Sequence, residues 1–545
     1  MVDKKRISRT LNMGGEQAEA DPLLEKAFFD SVAYERIRSH EDRHCFLIGR
    51  TGSGKSAILK RIEEEFPERT IRISPDDLSL PYILNLGLIR RLNELDVHLD
   101  PFLMLLWRHI FIVELIRHRY KPRSNAERQT MLETLRTLVR RDPTKERALE
   151  YISQFGDRFW NETSIQVREM IEQFETTADT TIKGTSIVPH LGAVLSVQKD
   201  SKEFSSFEVR REVTEHYQHI VNQTQLADLS KMIEVLNNEV FNSPKEFWYI
   251  VIDDLDKDWA DESLSNDLIR CLFRAVLDLQ RLRYVKIVIA LRTNIFEHLN
   301  FGSKTGGQEE KFRSLRSVIR WSPTELRALA EQRVAAAIVQ SDLEITGGMK
   351  ALLPEGSKKR GDPMDYLLSY TLLRPRDLIA FVNQCLERAV GKTRLTWSDL
   401  DAAIPEYSRN RLLALRDEWK PTFPGIEKVF DKFRSHNRSM NLREFTEILD
   451  EIALLVSDRD FEGTRWVLLL ADPLWSGSLT DTWFDSYRMI VKLLYDIGFI
   501  GIAKDGRTFK YSYEEMNMAD SELSFPDTVQ FQVHKAFATA LDITG

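Results

Sequence analysis

The sequence predicts an α/β protein: a P-loop core with a large helical insertion, then a helical lid and a C-terminal winged-helix module. Two motifs and the order of the segments behind them indicate this fold. The first motif, Gly-Arg-Thr-Gly-Ser-Gly-Lys-Ser at residues 49–56, matches G-x-x-x-x-G-K-[ST] at every fixed position. The second is an apolar run, residues 247–252, that ends in Asp253-Asp254. Helical and strand-like patterns then continue to residue 545.

The first motif has the flanks that a phosphate-binding loop requires. Residues 44–48 form an apolar run suited to a buried parallel strand, and residues 57–63 have helical spacing of apolar positions. Bound phosphates would therefore lie at a helix N-terminus, where backbone N–H groups face an anion. The residues predicted to bind nucleotide here are Gly49, Arg50, Thr51, Gly52, Ser53, Gly54, Lys55, Ser56 and Ala57.

Two side chains of the loop have specific predicted roles. Lys55 would reach the β- and γ-phosphates as a point charge, and the Ser56 hydroxyl would bind Mg²⁺. The glycines let the chain turn around an anion with no Cβ in the way. The loop therefore predicts binding of a nucleoside triphosphate together with Mg²⁺.

The second motif supplies the acidic side of the same chemistry. A carboxylate at the carboxyl end of a central strand is where P-loop proteins hold Mg²⁺. Asp253 is the predicted Mg²⁺ ligand, and Asp254 is predicted to orient or polarise the attacking water. The alternative for such a pair is an ordinary helix cap or turn.

Further catalytic candidates follow in chain order. A strand predicted over residues 285–291 ends in Arg292-Thr293-Asn294, and Asn294 is the first candidate to contact the γ-phosphate or the water. Arg292 is the second candidate, and a simple helix-capping role for Asn294 is the alternative. Arg313 is predicted to reach a neighbouring subunit's site as an arginine finger, with Arg316 as a competitor.

The spacing of the motifs predicts the domain organisation. Lys55 and Asp253 lie 198 positions apart, too far for a simple βαβ core, so residues 80–240 are predicted to be a mainly helical insertion. The predicted domains are a flexible N-terminus (1–20), the core (21–322), the lid (323–412) and the winged-helix module (421–545).

Two features of the C-terminal half bear on function. In the lid, Arg376 begins a helix after a Leu-Arg-Pro turn and is a candidate sensor of the bound nucleotide; a surface arginine is the alternative. In the last module, a helix at 486–496 precedes a predicted hairpin with strands at 498–502 and 508–513. A helix followed by a hairpin is the layout of a winged helix.

Composition limits the range of partners. The net charge of −8 gives no general argument for binding nucleic acid or membrane. A basic cluster over residues 117–147 indicates either a nucleic-acid or acidic-partner surface or a solvated helical hairpin. Three scattered cysteines and the lack of a predicted signal or membrane span favour a cytoplasmic location and no membrane partner. No nuclease, protease or deaminase motif is present.

The order of motifs resembles a known family. The segments that carry the likeness are residues 49–56, Ile-Asp-Asp-Leu-Asp-Lys-Asp-Trp at 252–259, Leu-Arg-Thr-Asn at 291–294, Leu-Arg-Pro-Arg-Asp-Leu-Ile at 373–379 and Val-His-Lys-Ala-Phe at 533–537. Together they resemble the bacterial FunZ-type P-loop ATPases, near the STAND, KAP and Orc/Cdc6-like branches of the AAA+ superfamily. The likeness extends from about residue 21 to residue 545.

The resemblance implies ATP and Mg²⁺ as ligands, Lys55, Ser56 and Asp253 as their binding residues, and Arg376 as the lid sensor. It also implies a regulatory ATPase whose nucleotide state controls homo-oligomer assembly or engagement of a separate effector, in a setting such as anti-phage defence. The chain lacks a Glu after Asp253, so slow turnover is expected. The alternatives are a DNA-binding initiator or loader resembling Orc/Cdc6, and an ATP-locked scaffold for a separate effector.

Overall fold

The computed structural model describes residues 5–74, 97–120, 226–255, 262–299, 309–477, 483–519 and 525–544 except 527, with residues 130, 133, 134 and 137. The chain divides into two compact units. The sheet unit comprises residues 31–50 and 58–319, and the helical unit comprises residues 1–30, 51–57 and 320–545. Most of the predicted insertion, including the greater part of the basic cluster at 117–147, lies outside the described residues.

The sheet unit is built on five parallel strands in the order β2-β3-β4-β1-β5. The strands are β1 (Phe46–Gly49), β2 (Thr70–Ile73), β3 (Trp248–Ile252), β4 (Val285–Arg292) and β5 (Arg316–Val318). The helices along this part of the chain are α1 (Val32–Arg38), α2 (Lys55–Glu65), α3 (Asp100–Tyr120), α4 (Leu226–Val235), α5 (Glu262–Leu279), α6 (Thr293–His298) and α7 (Glu309–Ser314). The predicted α/β P-loop fold class is confirmed.

The sheet register fixes which residues share one edge. Strand β4 lies between β1 and β3, with Gly49 opposite Arg292 and Ile252 opposite Ile289. Since all three strands run parallel, their carboxyl ends meet at the same edge of the sheet. The loop that starts at Gly49 and the acidic pair that starts at Asp253 therefore leave the sheet from one edge.

Burial on both faces explains the near-continuous apolar strands. Every residue of β3 is buried, as in other parallel sheets covered by helices. Lys286 in β4 is an exception among these apolar strand residues, because its charged side chain is only 7% exposed. Its Nζ donates to the carbonyls of Arg36 (2.8 Å), Ser39 (2.7 Å) and Asp42 (2.9 Å). The amine thus satisfies backbone acceptors at and just after the end of α1.

The described part of the predicted insertion is mainly helical. Helix α3 is buried along most of its length and packs on α5. The Trp107 indole N–H donates to Leu268 O (2.9 Å), and the buried carboxylate of Asp100 pairs with Arg270 (2.5 Å) and Arg274 (2.6 Å). Because the charge of Asp100 is compensated by the two arginines, the helices can cover it without leaving that carboxylate unpaired.

The helical unit contains the lid helices, defined here as α8 to α12, and a C-terminal module. The lid helices are α8 (Pro323–Gln340), α9 (Gly348–Leu352), α10 (Pro363–Leu368), α11 (Pro375–Arg388) and α12 (Trp397–Trp419). Helix α12 runs past the predicted lid boundary at 412. One hydrophobic core extends from the lid helices into the C-terminal module, and Ala540 N donates to Ser408 Oγ (3.0 Å).

The C-terminal module combines helices with a three-stranded sheet whose first strand lies between two of the helices. Its elements are α13 (Ile426–Asp431), β6 (Ser439–Asn441), α14 (Leu442–Leu454), α15 (Thr464–Leu470), α16 (Asp472–Ser476), α17 (Arg488–Asp496), β7 (Ile500–Ala503), β8 (Gln530–Val533) and α18 (Lys535–Ala538). The sheet is antiparallel, in the order β6-β8-β7. The strand predicted at 508–513 is wrong: of these residues only Lys510 bridges to Ile502, whereas β7 pairs along its length with β8.

The prediction of a flexible N-terminus over residues 1–20 is wrong for the part that the structure describes. Ile7, Leu11 and Met13 are buried in the core of the helical unit. The backbone is fixed as well, since Met13 N donates to the Asn383 side chain (2.7 Å). Apolar side chains spaced through a polar segment thus anchor it.

No helix among the described residues is long and apolar enough to cross a membrane.

Replacing Lys286 by Met tests the buried amine as a structural donor. The variant should lower the free energy of unfolding by about 2 kcal/mol, because three backbone carbonyls lose the charged donor that they share. Chemical denaturation followed by tryptophan fluorescence measures the loss. Lys311→Met, at an exposed position of α7, is the matched control and should leave the unfolding curve in place. Equal curves for the two variants would contradict the assignment.

Candidate functional site

The glycines of the loop adopt the backbone conformations that the sequence motif implies. Gly52 and Gly54 have φ of 76° and 101°, in the left-handed region that favours glycine. A Cβ added at Gly54 would have no heavy atom within 4 Å, whereas one at Gly52 would lie 2.9 Å from the Cβ of Arg376. The loop therefore has open space on one side and close packing on the other.

Three consecutive carbonyl groups of the loop accept hydrogen bonds from residues in or next to the lid helices. The pairs are Thr51 O with Arg374 Nη1 (2.9 Å), Gly52 O with the Arg376 backbone N–H (3.4 Å), and Ser53 O with Trp321 Nε1 (2.8 Å). Trp321 is packed in turn against Phe29, with ring centroids 5.4 Å apart. The helical unit therefore holds the loop by its backbone.

These bonds also fix where the loop's N–H groups point. In a trans peptide the N–H of one residue points opposite to the C=O of the residue before it, and the described chain contains no cis peptide. Because three successive carbonyls face their donors, the N–H groups of Gly52, Ser53 and Gly54 face away from those donors. Several amides directed to one side of a glycine-rich loop form a cradle for an anion.

A buried ion pair holds the first of these carbonyls. Arg374 and Glu418 have exposed fractions of 8% and 7%, and Arg374 Nη1 lies 2.9 Å from Glu418 Oε2. The other carboxylate oxygen of Glu418 accepts from Thr51 N (3.3 Å). Thr51 is therefore bonded through its N–H to the carboxylate and through its C=O to the guanidinium. A charge pair buried in this way is strongly coupled, since removing either partner leaves an uncompensated charge.

Arg376, the predicted sensor, lies against the loop. Besides its backbone bond to Gly52, its side-chain Nε donates to the carbonyl of Glu16 (3.1 Å). Burial lowers the pKa of the Arg376 guanidinium, and the nearby Asp377 and Glu16 carboxylates oppose that shift only in part. The N-terminal segment therefore orients this side chain.

A buried carboxylate fixes the turn before Arg374. Asp377 accepts from Leu372 N (3.0 Å) and from Arg411 Nη1 (3.0 Å). Burial alone would raise the pKa of Asp377, but the Arg411 and Arg374 guanidinium groups hold it below its usual range. Leu373 has φ of 49°, an uncommon conformation for a residue with a branched side chain. Such strain persists only where surrounding bonds enforce it.

In the sheet unit, the acidic pair lies where the sequence predicts it. Asp253 follows β3 and is 7% exposed, and its Oδ1 accepts from Asp254 N (3.0 Å). Arg72 on the neighbouring strand β2 bonds Glu63 (2.7 Å) and approaches Asp253 Oδ2 at 3.8 Å. Burial opposes ionisation of Arg72, but these carboxylates raise its pKa above the usual value. Asp254 has φ of 60°, in the left-handed region that Asp adopts more readily than most residues.

The remaining sequence candidates lie on two neighbouring elements of the sheet unit. Asn294 is in the first turn of α6, directly after β4, and Arg292 is the N-cap residue of that helix. Arg313 is an exposed residue of α7. Arg316 lies on β5, with its guanidinium 5.8 Å from the centre of the Phe296 ring. Asn294 therefore lies just after the strand, and the alternative that it caps the helix is wrong, because Arg292 is the N-cap residue.

Four residues that contact these elements were not predicted as site residues: Arg72, Trp321, Arg374 and Glu418. Glu418 is far from the loop in sequence and matches no motif. Arg374 lies in the segment 373–379 that carries the family likeness, but the prediction singled out its neighbour Arg376. Trp321 ends a strand-like run, a pattern that gives no indication of a contact with the loop.

Buried polar atoms without partners test whether the loop suits an anion. Among the described residues, the hydroxyls of Thr51 and Ser53 and the Nε and Nη2 atoms of Arg374 are buried with no hydrogen-bond partner. Unpaired buried donors are costly, so native structures keep them where a ligand or ion can bind. Hydroxyl and guanidinium groups of this kind are donors that suit an oxyanion such as a phosphate.

Fold and loop together define a P-loop protein, and comparisons with known families agree. Residues 324–416 match the model of the FunZ-associated C-terminal helical domain. This match covers most of the lid helices. It confirms the predicted likeness to the FunZ-type P-loop ATPases.

Relatives in curated collections are more distant. The putative transposon gamma-delta 80.3 kDa protein of Escherichia coli (strain K12) is 22% identical over 526 residues, covering 93% of this chain and 63% of the relative. The allergen Alt a 2 of Alternaria alternata is 29% identical over 119 residues, covering 22% of this chain and 62% of the relative. The chain therefore spans less than two thirds of each of these proteins.

A solved structure of the Aeropyrum pernix ORC1 protein in complex with DNA aligns with 87% of this chain and 82% of its own. The identity is 13% and the TM-score is 0.27, below the level at which two chains share an arrangement. The fold of this chain is established by its own strand order and loop.

Substituting Gly52 by Ala tests the packing of the lid helices on the loop. Ala at φ of 76° costs about 1 kcal/mol in backbone strain, and the close contact with Arg376 should add about 1–2 kcal/mol. The apparent melting temperature of the variant reports the sum. Gly391→Ala is the matched control, because Gly391 has φ of 86° and open space around the added Cβ. The same loss at both positions would show that Arg376 does not pack on the loop.

Proposed function

We propose that this protein is a regulatory ATPase: it binds ATP and Mg²⁺, hydrolyses ATP slowly, and uses the nucleotide state to control oligomer assembly or engagement of a partner. The observation that carries the proposal is the loop at residues 49–56, whose carbonyls are held by Arg374, Arg376 and Trp321. A loop whose N–H groups face one way binds phosphates, and its bonds to the lid helices give the phosphates a route to influence them.

The proposed ligand contacts follow from residue chemistry. Lys55 and the loop N–H groups would bind the phosphates, while Ser56 and Asp253 would hold Mg²⁺. Asp254 is the proposed water-orienting acid, with Asn294 near it at the same edge of the sheet. A Mg²⁺ ion held by these residues would supply positive charge that stabilises the phosphates. The side chain of Asp254 is one methylene shorter than that of a Glu, which is consistent with slow turnover.

Regulation is supported by the contacts of the lid helices. The FunZ-associated helical domain supplies Arg374 and Arg376, and both contact loop residues. Exposed Arg313 is the proposed trans-acting arginine in a homo-oligomer. We include anti-phage defence in the proposal on the strength of the family resemblance.

A separate protein effector is favoured over DNA as the partner of the C-terminal module. The basic residues of α17 are paired: Arg488 with Asp485 (2.6 Å) and Lys492 with Asp496 (2.9 Å). Large apolar side chains are exposed on α15, α16 and α17, namely Leu468, Leu469, Trp475 and Met489. Neutralised charge together with exposed apolar surface is characteristic of protein interfaces.

Replacing Lys55 by Ala tests nucleotide binding. The variant should bind ATP about 100-fold more weakly, since it loses charge-assisted bonds to the phosphates. Isothermal titration with a non-hydrolysable ATP analogue measures the affinity. On size-exclusion chromatography, the analogue should enlarge the wild-type particle and leave the variant unchanged. Lys60→Ala, one turn further along α2, is the control, and unchanged ATP affinity in Lys55→Ala would refute the proposal.

Separate substitutions of the acidic pair test the proposed division of labour. Asp253→Asn should abolish Mg²⁺-dependent hydrolysis and weaken ATP binding only in the presence of Mg²⁺, because a ligand of the ion is lost. Asp254→Asn should retain MgATP binding and lose about 100-fold or more in turnover, the scale of general acid–base catalysis. Phosphate release and titration with and without Mg²⁺ distinguish the two. Identical behaviour of both variants would contradict separate roles.

A further inference from the structure

A cavity of about 380 Å³, called the basal cavity below, opens at the amino edge of the five-stranded sheet. It lies where β1, β3 and β4 begin, and its lining also includes the loop after α1 and the end of α5. Pockets that hold small molecules typically have volumes of roughly 300–1,000 Å³. The basal cavity is therefore large enough for a small organic ligand.

The basal cavity is separate from the proposed nucleotide site. Val285 begins β4 at the cavity, and Arg292, which lies opposite Gly49, ends the same strand. A strand rises about 3.3 Å per residue, so this length of β4 puts about 20 Å between the two edges of the sheet. Gly49 and Asp253 therefore leave the sheet from the edge opposite the cavity.

Part of the cavity lining is apolar. Val276 and Leu279 of α5 and Val285 of β4 are buried residues that line it. His40 and Phe247 also line it, and their rings are stacked with centroids 3.6 Å apart and planes 9° apart. Aromatic rings pack well against other rings, by face or by edge. This part of the lining suits a flat apolar group.

The His40 ring is uncharged near neutral pH. Burial lowers its pKa, and the positive charges of Lys286 and Arg38 lower it further. The Lys286 amine lines the cavity as well, with its donors bonded to three backbone carbonyls. It therefore contributes positive charge to the cavity, while His40 contributes an apolar surface.

Three arginines add to this positive charge. Arg43, Arg281 and Arg283 line the cavity with exposed side chains, and none of them has an ion-pair partner among the described residues. Most exposed arginines elsewhere in the chain, such as Arg434, are paired with carboxylates. Guanidinium groups left unpaired at a cavity can bind the two oxygens of a carboxylate or phosphate.

The turn that carries two of these arginines has a fixed backbone. Leu282, between Arg281 and Arg283, is buried and lines the cavity, and its N–H donates to Leu279 O (2.9 Å). The backbone N–H of Arg283 donates to the Asn237 side chain (3.0 Å). Because the backbone is already ordered, less conformational freedom is lost when the arginines bind a ligand.

Two acidic residues of the lining do not cancel the positive charge. The Asp42 carboxylate is already engaged, because its Oδ1 accepts from the His44 backbone N–H (2.8 Å) and bonds the His44 ring (2.5 Å). Glu41 is exposed. The lining contains four basic residues, Arg43, Arg281, Arg283 and Lys286, against these two acids. The balance favours an anion over a cation.

We propose that the basal cavity binds a small aromatic anion, a flat ring system that carries a carboxylate or phosphate group. The ring lies among the apolar side chains and against the His40–Phe247 pair. The anionic group pairs with the guanidinium groups of Arg43, Arg281 and Arg283. This inference does not rest on the proposed function, because the two sites lie at opposite edges of the sheet.

The test measures binding of 1-naphthoate, 1-naphthyl phosphate and neutral 1-naphthalenemethanol to the full chain by isothermal titration. At least one of the two anions should bind with a Kd of about 1 mM or less, and the alcohol at least about 10-fold more weakly, because it lacks the charge. The tighter anion identifies the preferred group. Failure of both anions to bind below about 10 mM, or equal binding of the alcohol, would overturn the proposal.

A triple substitution tests the arginines. Arg43→Gln/Arg281→Gln/Arg283→Gln should weaken binding of the tighter anion by about 10-fold or more. The matched control is Arg409→Gln/Arg459→Gln/Arg465→Gln, which removes the same charge from three exposed arginines that also have no ion-pair partner among the described residues. The control should bind as the wild type does. Equal affinities of the two triple variants, with unchanged melting temperatures, would show that the arginines do not bind the anion.

The same titrations separate this inference from the proposed function. Binding of the aromatic anion should be unchanged in Lys55→Ala, and unchanged when a non-hydrolysable ATP analogue and Mg²⁺ saturate the wild-type protein. Loss of anion binding in either case would place the anion in the nucleotide site and refute the basal cavity as its site. If Lys55→Ala binds both the ATP analogue and the anion like the wild type, the proposed function fails and this inference stands.

Discussion

The backbone carbonyls of Thr51, Gly52 and Ser53 are the groups on which the proposed chemistry depends. A phosphate-binding loop needs its N–H groups turned toward the ligand, and each N–H shares a rigid plane with a carbonyl that points the other way. Those carbonyls need partners, since unpaired backbone acceptors are costly when covered. Here the partners come from residues 321–376, so the loop's orientation is fixed by a part of the chain far from it in sequence.

Charge is organised around the same loop in buried pairs. The Arg374–Glu418 pair bonds the loop at Thr51, and the Arg411–Asp377 pair lies at the turn before Arg374; all four side chains have little exposure. Breaking one buried pair is far more costly than removing both partners together. Such pairs therefore enforce the uncommon backbone of Leu373, which sets the direction of the next side chain. The uncommon backbone of Leu373 and the buried ion pairs together fix the position of Arg374.

The sequence predicts the parts of this protein that depend on local pattern. Buried parallel strands are visible as apolar runs, and the loop motif has a fixed spacing, so β1, β3, β4 and Lys55 could be located directly. The parts that depend on distant contacts could not. The N-terminal segment is polar on average, yet Ile7 and Met13 bury themselves in the helical unit. The strand beside β7 is β8 rather than residues 508–513, because pairing is decided by the whole module and not by local β-propensity.

The contacts of Arg374 and Glu418 with the loop also depend on residues distant in sequence, so they could not be predicted from local pattern. The match to the FunZ-associated domain spans residues 324–416. Trp321 and Glu418, which both bond the loop, lie just before its start and just after its end. A domain bonded to a loop near both of its ends cannot shift as a body without breaking one of those bonds. Any change in the loop caused by a bound anion would therefore be transmitted to α12, the helix that also bonds Ala540 of the C-terminal module through Ser408. This continuous chain of contacts joins the loop to the C-terminal module within the helical unit.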